Sequence, residues 1–195
     1  MMYRIVKVLN HNTFIGIRSK DKCKCLIMGK GIAFGRKVSE SISVGEDAKV
    51  YTLTELTERG SAEEIIRSVP PECLELAGEI LDHAEKVFGQ IDRSILFPMA
   101  DHLAFAVQRI RNQEQISNPL TEDIRILFHQ EYKVAKCAEQ LLRERLHVEI
   151  DEHEIGYIAL HVHAAIEDQS FPGHAADQGG KRLYLSGRKT DRDHH

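Results

Sequence analysis

Two groups of residues in this 195-residue chain have types and spacings that could do chemistry. The first is Met28 to Lys37, MGKGIAFGRK, which follows a strand-like run and packs three glycines, Phe34 and the cations Lys30, Arg36 and Lys37 into one short stretch. Glycine admits positive φ and close approach of a partner, and lysine and arginine meet phosphates, so the stretch reads as a basic turn offered to a polyanion. A dinucleotide-binding fingerprint is the rival, because Gly29, Gly31 and Gly35 follow apolar Leu26 and Ile27. That motif needs a helix opening at its last glycine, and Arg36-Lys37-Val38-Ser39 has no helical pattern.

The second group is histidine, of which the chain has eleven. Helical periodicity places His102 and His161 at the edges of the apolar stripes of their helices, with His163 on the opposite flank. An imidazole at a bundle rim can have one nitrogen held by protein and the other open to solvent, which suits reversible protonation or phosphorylation. A pair of partly buried structural histidines fits the same periodicity. A metal site fits less well: His161 and His163 are two apart on a helix and point to different sides, and Cys23-x-Cys25 has no second pair to complete a tetrahedron. No serine or cysteine is placed near an activated histidine, and no glycine-rich phosphate loop opens a helix. Neither a metal, a cofactor nor an enzymatic site is therefore expected.

A sheet must carry the first group and helices the second. Tyr3 to Leu9 (YRIVKVL) is a branched apolar run that ends at the turn formers Asn10-His11-Asn12. Phe14 to Arg18, Cys23 to Met28 and Ala48 to Leu53 continue as three further strands, which argues for a small antiparallel sheet. A module of about 50 residues has a marginal core, so it must dimerise or lean on the residues beyond it. From Thr54 the apolar period lengthens toward that of a helix. Ser61 to Ser68 is a short helical pattern stopped by Pro70-Pro71. Pro71 then opens a helix with Cys73, Ala77, Ile80, Ala84 and Val87 on its inner stripe, closed by Gly89. A second helix from Phe97-Pro98 to Asn112 turns Met99, Leu103, Ala106, Val107 and Ile110 inward. Thr121 caps a third stretch, through Ile124, Leu127, Tyr132, Ala138, Leu141 and Leu142, with a break near His129 to Glu131. Asp151 with Glu154 makes a capping-box-like start for a last helix bearing Ile155, Ile158, Ala159, Val162, Ala165 and Ile166. The result is a helical bundle. From Phe171 the chain is rich in Gly, Asp, Lys, Arg and His, and it reads as a disordered tail.

Charge divides along the same line. Residues 1–53 carry ten Lys or Arg against four Asp or Glu, whereas residues 54–195 carry sixteen against twenty-six. A basic sheet module followed by an acidic helical remainder points to nucleic acid at one end and control or assembly at the other, although a basic solvated surface gives the same count. With no apolar run of about 20 residues and no signal-peptide core, the expected setting is the cytoplasm, without membrane insertion.

Six blocks then carry a family resemblance: KVLNHN (Lys7–Asn12), MGKGIAFGRK (Met28–Lys37), the Val50–Leu53 strand, PPEC (Pro70–Cys73), ADHLAFAVQR (Ala100–Arg109) and EIGYIALHVHAA (Glu154–Ala165). In order and spacing they resemble transcriptional antiterminators of the BglG/LicT (SacY) type, over residues 2 to about 167. The resemblance implies a multidomain β + α chain: a small antiparallel β-sheet RNA-binding domain at 1–57, a linker at 58–70, and an all-α regulation domain of the sugar phosphotransferase system at 71–168, before the tail at 169–195. It implies a non-enzymatic homodimer that binds an RNA hairpin in a nascent leader transcript and so blocks a terminator hairpin in a carbohydrate-utilisation operon. Asn10, Gly29, Lys30, Gly31, Phe34, Arg36 and Lys37 match the family's RNA-facing positions, and His102 and His161 match its phosphate-accepting histidines. Strand position alone leaves open whether Phe34 stacks on RNA or fills the core. A sugar-specific transporter component is the implied phosphate donor, with the general phosphocarrier protein as a second candidate. Typical members continue into a second regulation domain, in whose place this sequence has the Gly/His-rich tail; inhibitory control through the first domain is therefore the expected input. Two alternatives stay open: an unregulated RNA-binding or dimerisation module with inert histidines, and a phosphocarrier-like protein.

Overall fold

A computed structural model describes residues 1–167, apart from residues 55, 58, 59 and 115 and the side chains of 56, 57 and 167. The tail expected over 169–195 lies outside the described residues. Five strands form the N-terminal sheet: β1 (Met2–Asn10), β2 (Thr13–Arg18), β3 (Lys24–Met28), β4 (Ser41–Ser43) and β5 (Lys49–Thr52). Their order is β4-β1-β2-β3-β5, every neighbouring pair antiparallel. The short β4 had no sequence signal, since three residues cannot display an alternation. A minimal hairpin, β6 (Leu56–Thr57) and β7 (Gly60–Ser61), leads into the helices.

Alternation along the strands gives the sheet two apolar faces. On one, Tyr3, Ile5, Phe14, Cys25 and Ile27 pack with Ala33, Ile42 and Val44 of the segment after β3. On the other, Ile15, Leu26, Met28, Tyr51 and Leu53 join the core of the helical layer. The module leans on its neighbour, which resolves how so small a sheet finds enough burial.

The helices are α1 (Ala62–Ser68), α2 (Pro71–Phe88), α3 (Leu96–Arg111), α4 (Thr121–Leu127), α5 (His129–Ala135), α6 (Cys137–Leu146) and α7 (Glu152–Glu167). At the start of α1, the Ser61 hydroxyl accepts from the Glu64 N–H at 3.2 Å and the Glu64 carboxylate accepts from the Ser61 N–H at 2.9 Å, a complete capping box. This helix lies within the segment expected as a linker, and it buries Ile65 and Ile66. Pro71 opens α2, and Gly89 closes it at φ +81°. The expected inner stripe holds from Cys73 to Ala84, but Val87 is exposed, because the last turn of α2 is covered only on the side of Phe88. α3 buries Met99, Leu103, Ala106 and Val107, as its spacing predicts, and Leu96 and Phe97 besides, while Ile110 is partly buried against the same core.

The third stretch differs from expectation in two ways. It breaks twice, once at Phe128, whose ψ of 49° leaves the helical region, and again at Lys136. Thr121 is also not a cap: it is the first helical residue of α4, and its hydroxyl donates backward to the Asn118 carbonyl at 2.8 Å.

Leu26 is fully buried on the sheet face shared with the helices. Leu26→Ala should cost about 2–5 kcal/mol through lost burial and the cavity left behind. Urea unfolding followed by helical circular dichroism should show the lower midpoint even though the substitution lies in the sheet.

Candidate functional site

The basic stretch is a turn-rich loop rather than a strand. Successive backbone bonds run from Ile32 N–H to Gly29 O, Phe34 N–H to Gly31 O and Arg36 N–H to Ala33 O, each at 3.1 Å. Gly31 (φ +67°) and Gly35 (φ +68°) sit in the left-handed region, where a side chain would be strained. The loop is pinned to the β1–β2 turn. Asn12 accepts from the Gly29 N–H through its carbonyl at 2.9 Å and from the Gly31 N–H through its side-chain oxygen at 2.7 Å. His11 O accepts from the Ala33 N–H at 2.9 Å, and Ala33 is buried beneath the loop. Phe34, whose burial the sequence left open, is 67% exposed, with the His11 ring edge-on at 5.0 Å between centroids. Lys30, Arg36 and Lys37 are exposed beside it, with Arg36 drawn to Glu40 at 3.8 Å. An open aromatic face ringed by cations on a braced loop can stack a base and hold a phosphate. Asn12 and His11 were missed as parts of this site; their place in a two-residue turn beside Asn10 was the available signal.

Asn10 has both ends of its amide engaged within the protein. Its oxygen accepts from the Asn12 N–H at 2.9 Å, and its NH2 donates to Glu75 of α2 at 2.8 Å. Glu75 also accepts from the Thr13 hydroxyl at 3.3 Å and from Arg145 of α6 at 3.3 Å. Further along α2, Asp82 accepts at 2.9 Å from Arg93, which lies between α2 and α3 and also donates to the Tyr51 hydroxyl at 2.9 Å, while Lys49 stands 3.6 Å from Glu85. The acidic face of α2 thus meets the cations and amides of the sheet module.

The histidines form a second cluster, between α3 and α7. His102 and His161 face each other with ring centroids 5.5 Å apart, and Tyr157 lies 5.6 Å from His102. Asp151 caps α7 as expected, accepting from the His153 and Glu154 N–H groups at 3.0 and 3.1 Å. Glu154 does not complete the capping box. Its side chain turns inward, only 2% of the residue exposed, and accepts from Arg109 at 2.8 Å while its other oxygen lies 3.0 Å from His102 Nε2. The Arg109 guanidinium and the His102 ring N–H inside outweigh one backbone N–H at the rim. Burial would raise the Glu154 carboxyl, but the hydrogen bonds from His102 and Arg109 overcome it and hold the group below its ordinary 4.5. His163 stands apart, stacked on Phe128 at 4.1 Å and bonded to Glu131 at 2.9 Å.

No group of His, Cys, Asp or Glu among the described residues is arranged to hold a metal ion. The Cys73 and Cys137 thiols are pushed up by burial to about 11 and about 12, too high for a nucleophilic role at neutral pH. None of the described helices is long and apolar enough to cross a membrane.

Comparison with known proteins assigns both clusters to one architecture. Residues 3–59 match the CAT RNA binding domain and residues 78–165 match the PRD domain. This chain combines a CAT RNA binding domain with a PRD domain. Across both modules it is 29% identical to the transcription antiterminator LicT of Bacillus subtilis over 170 residues, covering 87% of this chain and 61% of LicT. Similar matches are the GlcA/glcB genes antiterminator of Staphylococcus carnosus (29% over 175 residues, 86% of this chain and 59% of the relative) and the beta-glucoside operon antiterminator of Dickeya chrysanthemi (29% over 172 residues, 87% and 60%). The chain spans about six-tenths of the length of these curated relatives. In three dimensions it resembles the crystal structure of GlcT CAT-PRDI, with a TM-score of 0.69 at 26% identity, covering 85% of this chain and 99% of that one. The CAT module therefore carries the exposed Phe34 loop, and the PRD carries the His102–His161 cluster.

Glu154 gives the PRD an acid-sensitive pin. Because its folded carboxyl titrates below 4.5, its ion pairs stabilise fully above that pH and are lost as pH falls through the lower folded value. Glu154→Gln should cost about 1–3 kcal/mol at pH 7, toward the lower end because Arg109 can reach solvent. Urea midpoints measured from pH 7 downward should then fall less steeply below 4.5 in the variant than in the parent chain.

Proposed function

We propose that this chain is an RNA-binding transcriptional antiterminator: its CAT module binds a hairpin in a nascent leader transcript and keeps an overlapping terminator hairpin from forming. The observation that carries the reading is Phe34, two-thirds exposed on a braced loop among Lys30, Arg36 and Lys37. A large aromatic left in water on a well-pinned loop is poorly explained by folding alone, and RNA recognition at unpaired bases uses such stacking platforms beside cations. The printed names of the similar proteins, antiterminators in three organisms, support the same reading. Gly29 and Gly31 present their backbone close to the cations, and Asn10 supports the face through Asn12.

Regulation is proposed to act by phosphorylation of His102 and His161, with a sugar-specific transporter component of the phosphotransferase system as donor and the general phosphocarrier protein as the second candidate. A phosphoryl group adds up to about two negative charges. On His102 it would lie beside buried Glu154, so the α3–α7 contact would be strained by like charge. α3 packs on α2, and α2 carries Glu75, which holds Asn10; one helix therefore links the modified histidine to the RNA-binding module. In a homodimer the same charges would also repel across facing rims. A coupling of about 1–3 kcal/mol is enough to change RNA affinity appreciably.

Fluorescence anisotropy with a family-type leader hairpin at two salt concentrations tests the RNA face. Phe34→Ala should weaken binding by about 1–3 kcal/mol per base stacked, without loss of fold. Lys30→Gln should weaken it and reduce the slope of log affinity against log salt by roughly 0.7–0.9. Unchanged binding in both variants would remove the CAT loop from the RNA interface. Separately, His102→Asp and His161→Asp, which place a fixed negative charge in the cluster, should lower affinity several-fold; parent-like affinity in both would favour the unregulated module with inert histidines.

A further inference from the structure

We propose that Glu154 is a positioning residue that holds His102 in its Nε2–H form and thereby directs phosphoryl transfer to Nδ1. The inference rests on the reading of His102 as a phosphate acceptor and deepens it to a single atom. An ionised carboxylate can only accept hydrogen bonds. Glu154 is kept ionised by Arg109, whose Nη2 donates to Oε1 at 2.8 Å, so the contact of 3.0 Å between Oε2 and His102 Nε2 requires the proton on Nε2. In a neutral imidazole the lone pair is then on Nδ1. Nδ1 makes no hydrogen bond among the described residues, while the Tyr157 and His161 rings, at 5.6 and 5.5 Å, hold the imidazole in place.

The transfer balances without moving a proton on His102. The Nδ1 lone pair attacks phosphorus, the bond from phosphorus to the donor breaks, and its electron pair leaves with the donor. Phosphorylation at the lone-pair nitrogen makes the ring an imidazolium, with Nε2–H still directed at Glu154. The carboxylate therefore opposes a positive charge that develops only during transfer, the task a buried carboxylate performs behind a catalytic histidine. Nothing in the sequence around ADHL carries this information. Glu154 lies 52 residues away and reads there as a helix cap.

The test uses the full chain with 15N-labelled histidine. Long-range 1H–15N spectra, with His102→Gln to assign the signal, should show the resting His102 ring as the Nε2–H tautomer. Treatment with phosphoramidate, which transfers its phosphoryl group and releases ammonia, should give Nδ1-phosphohistidine at position 102. Glu154→Gln, whose amide oxygen still accepts from Nε2, should keep the tautomer and the linkage but react about tenfold more slowly, because the opposing charge is gone. Glu154→Ala should lose the tautomer bias and give a mixture of linkages. A resting Nδ1–H tautomer, a phosphoryl group on Nε2, or a rate unchanged in Glu154→Gln would each overturn the proposal while leaving His102 a phosphate acceptor. The tautomer of the parent chain decides the matter even where a variant does not fold. Labelling of Nδ1 by phosphoramidate with no labelling by phosphoenolpyruvate and the phosphotransferase proteins would sink the regulatory reading and leave the role of Glu154 intact.

Discussion

The structure depends on one shared layer of apolar side chains between the sheet and α2. Leu26, Met28 and Tyr51 from the strands meet Leu74, Ala77 and Leu81 from the helix in a single core that continues through α3 and α7. Five short strands could not bury enough surface on their own, and α2 without the sheet would expose its apolar flank. Gly78 shows how tight the contact is: a Cβ there would come within 3.1 Å of the Met28 methyl. Because the two modules share this layer, α2 packs directly against the strands that carry the Phe34 loop.

Two carboxylates give the layer its polar fastenings. Glu75 receives Asn10, Thr13 and Arg145 and so ties the β1–β2 turn to α2 and α6. Glu154 receives Arg109 and His102 and so ties α3 to α7. Both are largely enclosed, with 11% and 3% of their side chains exposed, so each must keep its partners or bear the cost of an uncompensated buried charge. α2 stands between the two, packed with α3 in the shared core and holding Asn10 through Glu75.

Much of this was legible in the sequence. Strand alternation, the turn at Asn10-His11-Asn12, Pro71 and Gly89 at the ends of α2, and the inner stripes of α2 and α3 are local matters that short-range sterics and periodicity decide. The division into a basic module and an acidic one comes from composition. Family resemblance, resting on six blocks, reached the RNA-binding and regulation domains that the comparisons then matched. Errors fell where local rules compete with long-range contacts. Val87 continues a stripe that the neighbouring layers do not cover, Thr121 has the chemistry of a cap but is bonded back to Asn118, and Phe128 ends a helix without proline or glycine.

Residue type and spacing by themselves determined that this chain has a cation-rich glycine loop on a small sheet and histidines at the edges of helices, because those features depend on neighbours within a turn or two. Only the tertiary structure decided what the features face. Whether Phe34 points to solvent depends on which strand covers it, and Ala33, not Phe34, fills the space beneath. Whether Glu154 caps its own helix or reaches His102 depends on where α3 lies, since a buried carboxylate goes to the strongest donors within reach, and here those are brought in by residues 45 and 52 positions distant.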